Sequence, residues 1–326
     1  MRVIRCVELG APEKLQIEER PTPELEAGQV LVDVRACGVY FVDTLMVQGL
    51  YQIKPEPPFT PGGEVAGVVR AVAKGVEGFK KGDAVIAAPG LNGFSEQVVL
   101  PSDRIRALPE GLSFEQGAGF YQAYCTAYFS LSRRARLQAG ETVLVLGAAG
   151  GVGLAGIDVA KMLGARVIAA ASSPEKLETC RKQGADEVIL YSEEDLKVRA
   201  KELSGGGVDV VYDPVGGDFS EQALRALAPG GRHLVIGFAA GEIPRVRWNL
   251  ILLKQCQVVG VDWGGWGSKH REENAMLFSE LAQRVSEGQL SPVAPISYPF
   301  EEVSKALRDL MERRVVGKAV LVCHSP

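Results

Sequence analysis

Two textures of hydrophobic patterning divide the chain near residue 120. Before that point, apolar runs of strand length at 3–9, 15–19, 29–36, 65–73, 83–87 and 94–100 are separated by Gly and Pro signals. No long helical pattern lies between them, and residues 75–83 form a turn-rich connection, so this part predicts a compact, partly open barrel. From Tyr121 the pattern changes. Residues 121–136 read as one long helix, and apolar strands at 142–146, 166–171, 188–191, 208–212, 232–237 and 257–261 then alternate with helices. That alternation predicts an α/β fold with a doubly wound, six-stranded parallel sheet. A helix over 271–287, a Pro-rich connection over 292–299, a helix over 300–313 and a strand over 318–322 close the chain. This tail does not continue the parallel sheet and is expected to return to the first domain.

Chemistry concentrates where the first strand of the second half meets its helix. After residues 142–146 come Gly147-Ala148-Ala149-Gly150-Gly151-Val152-Gly153, then a helical pattern with Val152, Ala155, Val159 and Met162 near one face. Strand, tight glycine turn and helix open a dinucleotide-binding unit. Gly150 lets backbone approach a pyrophosphate, Gly153 lets the helix pack on the strand, and the first-turn N–H groups, those of Gly151 and Val152 among them, face the anion. Ala148 stands where the first glycine of the G-x-G-x-x-G pattern would be, and a glycine turn also occurs with no ligand at all.

About 20 residues further on, where an NAD site places a carboxylate for the ribose 2′-hydroxyl, the chain reads Ser172-Ser173-Pro174-Glu175-Lys176. Two hydroxyls and a cation at that strand tip suit a 2′-phosphate, which favours NADPH over NADH; as an ordinary surface lysine, Lys176 would need no phosphate. Tyr191, ending the next strand, is a second candidate for the adenosine phosphate. Asp213-Pro214-Val215-Gly216-Gly217 and Gly237-Phe238-Ala239-Ala240-Gly241 follow two more strands at the edge where such sheets bind ligands.

Bulk composition narrows the partners. At 326 residues the chain holds two domains with a core each. The net charge of −4 and the lack of a basic run argue against nucleic acid as the main partner. No apolar stretch reaches membrane-spanning length, and Met1-Arg2-Val3-Ile4-Arg5-Cys6 begins directly as an amphipathic strand, with no sign of a signal peptide. Six scattered cysteines without C-x-x-C read as reduced, mostly buried thiols, hence a cytoplasmic protein.

A β-rich part, a nucleotide-binding part and a C-terminal return together resemble the medium-chain dehydrogenase/reductase superfamily. Gly140-Glu141-x-x-Leu144-x-x-x-Ala148-Ala149-Gly150-Gly151-x-Gly153 with Lys161 resembles the signature of its quinone oxidoreductase (zeta-crystallin-like) branch, except that Asp158 replaces the usual Gln. Thr126-Ala127-Tyr128, Asp213-Pro214-Val215-Gly216, Gly317-Lys318, Pro61-Gly62-Gly63-Glu64-Val65-Ala66-Gly67 and Gly49-Leu50-Tyr51 are similar to the same branch. The resemblance implies a GroES-like catalytic domain over 1–122, an NADPH-binding Rossmann domain over 123–264, and a segment over 265–326 that completes the catalytic domain. It also implies a homodimer through the sheet edge at 257–261.

The superfamily's zinc enzymes carry metal ligands at positions that correspond here to Tyr40, Gly63 and a place near Gln122. None of the histidines, His233, His270 and His324, falls at a ligand position, and no run of four cysteines accompanies residues 89–96, so no metal is expected. Many relatives in the branch have Asn where this chain has Tyr40; Tyr either narrows the pocket or supplies a phenol donor. Cys37 reads as a core residue, and Asp43 as a residue that orders the Tyr40 loop.

Without a Lewis acid, hydride transfer favours acceptors that delocalise charge themselves: quinones and α,β-unsaturated carbonyls. By resemblance, Tyr51 and Tyr40 line the substrate cleft as positioning hydrogen-bond donors, Thr126 sits by the nicotinamide, and Phe238 and Ala239 with Trp263 and Gly264 flank its carboxamide. Gly150, Gly151, Val152, Ser172, Ser173, Lys176, Tyr191, Gly216 and Lys318 complete the cofactor set. Three functions compete: a quinone reductase, an alkene reductase acting on enones or enoyl thioesters, and a non-catalytic NADPH-binding protein.

Overall fold

The computed structural model describes residues 1–323; His324 lies outside the described residues. Its Cα framework divides into two units, Met1–Gln122 with the chain from Ala294 on, and Ala123–Val293.

In the second unit six parallel strands lie side by side in the order Glu187–Leu190, Arg166–Ala171, Thr142–Val145, Val208–Asp213, Leu227–Val235, Gln257–Gly260. Numbered by chain position this is 3-2-1-4-5-6, the doubly wound order, whose switch point falls between Thr142–Val145 and Val208–Asp213. Strands Arg166–Ala171 and Thr142–Val145 are apolar beyond their first residue because helices cover both faces; Leu144, Ile168 and Val211 are among the fully buried side chains. Helix Gly151–Met162 is buried all round from Gly153 to Ala160 rather than along the single face the sequence pattern gives. Two polar ties account for its outer side: Asp158 accepts the Tyr124 hydroxyl at 2.8 Å and the Ser291 N–H at 2.9 Å.

The expected helix over 121–136 is α-helical only over Tyr121–Tyr128 and becomes a π-helix over Phe129–Arg134. The hydroxyls of Ser130 and Ser132 donate back to the carbonyls of Thr126 and Tyr128 at 2.6 and 2.5 Å, the side-chain competition that loosens a helical ladder. The segment from residue 265, expected in the first unit, joins it only from Ala294. Residues up to 293 stay with the parallel sheet because helices Trp263–Lys269 and Arg271–Ser286 are bound there: Trp266 stacks on Phe129 at 4.7 Å, and Glu280 accepts the Tyr128 hydroxyl at 2.9 Å.

The first unit is built on strand Gln29–Val39. Its outer half pairs with Gln97–Pro101, its inner half with Ala319–Val322, and its other edge with Val65–Val72 across two bulges. Ala84–Ala87 and Ile105–Ala107 extend one side, and Ile296–Pro299 the other. Arg2–Arg5 and Gln16–Glu19 form a separate two-stranded sheet. The expected partly open barrel thus takes the form of one mixed, bulged seven-stranded sheet. Ile296–Pro299, read from sequence as a connection, is an edge strand, a place that tolerates its terminal proline. The short helix Phe41–Val47, which the sequence reading left out, follows Tyr40 directly.

Candidate functional site

The glycine turn meets two opposed demands. A Cβ on Gly153 would stand 2.4 Å from the Gly147 carbonyl oxygen, so close helix–strand contact requires glycine there. A Cβ on Gly150 would meet nothing nearer than that same oxygen at 3.4 Å. The fold therefore tolerates a side chain at Gly150, whereas an anion approaching the helix would not. Gly150 is the N-cap of the helix and no side chain caps it. Gly151 and Val152 follow in the first turn, and the helix dipole favours negative charge at this point. These residues fit the pyrophosphate of a dinucleotide.

At the next strand tip the hydroxyls and the cation foreseen in the sequence are together. Lys176 Nζ donates to Ser172 Oγ at 3.2 Å, and Ser173 Oγ caps helix Pro174–Lys182 by accepting the Lys176 N–H at 3.4 Å. Tyr191 is drawn alongside: its N–H donates to the Ala171 carbonyl at 3.2 Å, and the Ser192 hydroxyl to the Ser172 carbonyl at 3.2 Å. The Tyr191 ring packs at 4.5 Å on Phe219. A cation and hydroxyls at one strand end fit a phosphate ester on the adenosine ribose.

Across the switch point the loop after Val208–Asp213 is ordered by Asp213. Its buried carboxylate accepts the Val215 and Gly216 N–H groups at 2.9 Å, the Ser220 hydroxyl at 2.5 Å, and lies 2.9 Å from His233 Nε2. Burial pushes its pKa up, but the hydrogen bonds from His233, Ser220 and Gly216 outweigh it and hold the carboxyl below the usual aspartate value. The neighbouring loop is bound to this one, with Ala239 N–H on the Pro214 carbonyl at 3.1 Å and Ala240 N–H on Val215 at 2.8 Å. Gly216, at φ +74°, lets the Phe238 ring lie where a Cβ would be 2.9 Å away. Gly216, Phe238 and Ala239 are thus brought together. Trp263 and Gly264 begin the helix that follows the edge strand, with the indole donating to Asn274 at 2.9 Å. Thr126 lies on helix Tyr121–Tyr128, its carbonyl taken by Ser130.

In the first unit a cluster of charge is buried at the end of strand Gln29–Val39. Tyr40 is 8 % exposed and Glu64 1 %. The Tyr40 hydroxyl donates to Glu64 Oε2, whose carboxylate also accepts the Tyr121 N–H at 2.8 Å and the Gln122 N–H at 3.0 Å. Lys318, half-buried, donates from Nζ to the Val39 carbonyl at 2.8 Å, and its ammonium lies over the Tyr40 ring. Asp43 orders the loop as expected, accepting the Tyr40 N–H at 2.7 Å and the Gly62 N–H at 3.3 Å. Burial drives the charged forms out: Glu64 is pushed up to about 7 and Asp43 to about 6, each partly opposed by its donors and by Lys318. The same burial holds Lys318 well below the usual lysine value.

Lys318, expected by resemblance beside the cofactor, makes these contacts within the first unit. Tyr51 packs half-buried against that unit's core, between the exposed side chains of Leu50 and Ile53. Cys37 is fully buried, 3.8 Å from the thiol of Cys323. Glu64 was not singled out from sequence. The available signal was a carboxylate set directly before the apolar strand Val65–Val72, a position from which it had to be buried. Among the described residues, no group of three His, Cys, Asp or Glu side chains is arranged to hold a metal ion.

Comparison with known proteins agrees with this geometry. Residues 26–131 match the family model described as alcohol dehydrogenase GroES-like domain, and residues 151–281 the one described as zinc-binding dehydrogenase. The chain is 41 % identical to quinone oxidoreductase-like protein 2 of Bos taurus, covering 98 % of this chain and 92 % of that one. It is 35 % identical to quinone oxidoreductase of Rattus norvegicus, over 99 % and 98 % of the two chains. Among solved structures, Escherichia coli quinone oxidoreductase complexed with NADPH superposes with a TM-score of 0.91 at 32 % identity, covering 99 % of this chain and all of that one.

Proposed function

Because this chain belongs to the medium-chain dehydrogenase/reductase superfamily, in its quinone oxidoreductase branch, we propose that it is a zinc-independent, NADPH-dependent reductase of quinones. The observation that supports the reading is the buried cluster at positions that, by resemblance, correspond to the metal ligands of zinc relatives: Tyr40 and the backbone of Gln122 converge on the carboxylate of Glu64. Bound NADPH supplies the hydride. Gly150, Gly151 and Val152 receive its pyrophosphate, and Ser172, Ser173, Lys176 and Tyr191 its 2′-phosphate. Gly216, Phe238, Ala239, Trp263, Gly264 and Thr126 hold the nicotinamide end, with Lys318 fixed beside Tyr40. Tyr51 and Tyr40 orient the acceptor. An alkene reductase is the second reading, favoured by a phenol–carboxyl pair that suits an acceptor needing a proton on carbon.

Steady-state NADPH oxidation with 9,10-phenanthrenequinone, 2-cyclohexenone and crotonyl-CoA, with NADH in parallel, tests the proposal. Turnover of the quinone alone supports it, and saturated product from the enones favours the alkene reductase. Tight NADPH binding with no turnover of any acceptor leaves only the non-catalytic function. Lys176→Ala is expected to raise the Kd for NADPH about tenfold and leave NADH unchanged; equal effects on both cofactors count against the 2′-phosphate role.

The assembly we propose is a homodimer through strand Gln257–Gly260, which lies at the sheet edge. Beside it in the chain, helix Trp248–Lys254 presents Trp248, Leu252 and Leu253 at 80, 78 and 75 % exposure, an apolar surface that a second copy would cover. No helix among the described residues is long and apolar enough to cross a membrane. All six cysteines are buried thiols outside any disulfide, which supports a reducing, cytoplasmic setting.

A further inference from the structure

We infer that Tyr40 and Glu64 form a proton relay beside the charge of Lys318, Tyr40 being the acid that protonates the acceptor. The inference rests on the reductase reading and adds to it the source of the proton. Its basis is the direction of the hydrogen bonds. Glu64 has two carboxyl oxygens and three partners: the Tyr121 N–H, the Gln122 N–H and the Tyr40 hydroxyl. The two N–H groups can only donate. The contact with Tyr40 is the one whose proton can sit on either oxygen.

When Glu64 is protonated, its hydroxyl donates to the Tyr40 oxygen and the phenol hydrogen turns outward. A hydride and one proton then complete the reduction. As the hydride reaches a quinone, the electron pair moves onto the carbonyl oxygen, which takes the Tyr40 proton. With an enone the hydride adds to the β-carbon, and the proton passes to the oxygen and then the α-carbon. In both cases the Tyr40 oxygen takes the proton of Glu64, and Glu64 is left as a carboxylate. That carboxylate is received by the Tyr121 and Gln122 N–H groups and by the Lys318 charge, and solvent later reloads it.

Besides Tyr40 itself, Lys318, two backbone N–H groups and Asp43 set the balance. Lys318, ahead of strand Ala319–Val322, favours the carboxylate, as do the two N–H groups that open helix Tyr121–Tyr128. Asp43, on helix Phe41–Val47, shares the field of Lys318 and is itself held by the Tyr40 and Gly62 N–H groups. Burial opposes the carboxylate and places the half-point of Glu64 at about 7. The relay is loaded below that value and empty above it, so turnover falls as pH rises through about 7.

The test is the pH dependence of kcat, with solvent deuterium isotope effects, for wild type, Tyr40→Phe and Glu64→Gln on whichever acceptor the wild type reduces. NADPH affinity by fluorescence titration runs alongside as the control for a folded nucleotide unit. Wild type is expected to lose kcat above about pH 7. Tyr40→Phe is expected to lower kcat about 100-fold at pH 6, in the range general acid catalysis contributes. Glu64→Gln should lower kcat and also abolish the alkaline limb, a change that a merely structural role would not produce. Should Tyr40→Phe fail to fold, the Glu64→Gln profile decides. Variants within twofold of wild type, with the limb intact, overturn the relay while the reductase stands. A wild type that turns over no acceptor overturns both.

Discussion

Gly150 and Gly153 lie three residues apart, and only Gly153 is glycine because the fold demands it; the role proposed for Gly150 is toward a ligand. Gly153→Ala forces a Cβ to within 2.4 Å of a carbonyl oxygen and is expected to cost about 2–3 kcal/mol, read as a lowered urea midpoint. Gly150→Ala is expected to leave that midpoint within error and to weaken NADPH about tenfold by calorimetry. A midpoint lowered equally by both would remove the distinction. The buried carboxyls make a second prediction. Both have folded pKa values raised above their unfolded ones, from 4.5 to about 7 for Glu64 and from 3.8 to about 6 for Asp43. Their contribution is therefore complete below the unfolded value and lost as pH rises through the folded one. For Glu64 the loss is of order 3 kcal/mol between about pH 4.5 and 7. Lys318 acts in the opposite sense, its folded pKa lying below its unfolded one, so stability recovers as pH rises toward the ordinary lysine range. Urea unfolding of wild type across pH 5–8 should show stability falling as pH rises, and Glu64→Gln should flatten that fall.

At the scale of elements, periodicity fixed what was regular and missed what was not. The six parallel strands stood out because their apolar runs have strand length and helices between them. The glycine turn stood out because its chemistry is local. The π-helix did not, since Ser130 and Ser132 look like helix-surface residues until their hydroxyls are seen bonded to the carbonyls of the preceding turn. Ile296–Pro299 was hidden because two prolines and a polar residue mask an edge strand whose partner is still twenty residues away. The Tyr40 cluster was only half legible: Tyr40 and Asp43 are neighbours in sequence, whereas Glu64 and Lys318 reach it only through the sheet. Two elements carry predictions. Asp158→Ala removes both ties on the outer side of helix Gly151–Met162 and leaves the Tyr124 hydroxyl without that partner; thermal unfolding should register a loss of about 2 kcal/mol. Leu252→Glu with Leu253→Glu should convert the proposed dimer to monomer by analytical ultracentrifugation without lowering NADPH affinity. A double variant that stays dimeric would remove this helix from the interface.

For the molecule as a whole, the informative feature is how far apart in sequence the first unit finds its partners. Cys37 and Cys323 face each other across paired strands although 286 positions separate them. Strand Gln29–Val39 acquires one of its three neighbours only at Ala319–Val322, after the entire nucleotide-binding unit has passed. Synthesis runs from the N-terminus, and domains generally fold as units as the chain emerges. Here the order is inverted. The part made first must wait with an open strand edge while the part made second, continuous from Ala123 to Val293, completes its own sheet. A nascent chain released before residue 318 would carry the complete second unit, with the nucleotide site proposed for it, and an unfinished Tyr40 cluster, lacking Lys318 altogether. Cofactor affinity and proton delivery would thus mature at different moments on the ribosome, the first well before the second.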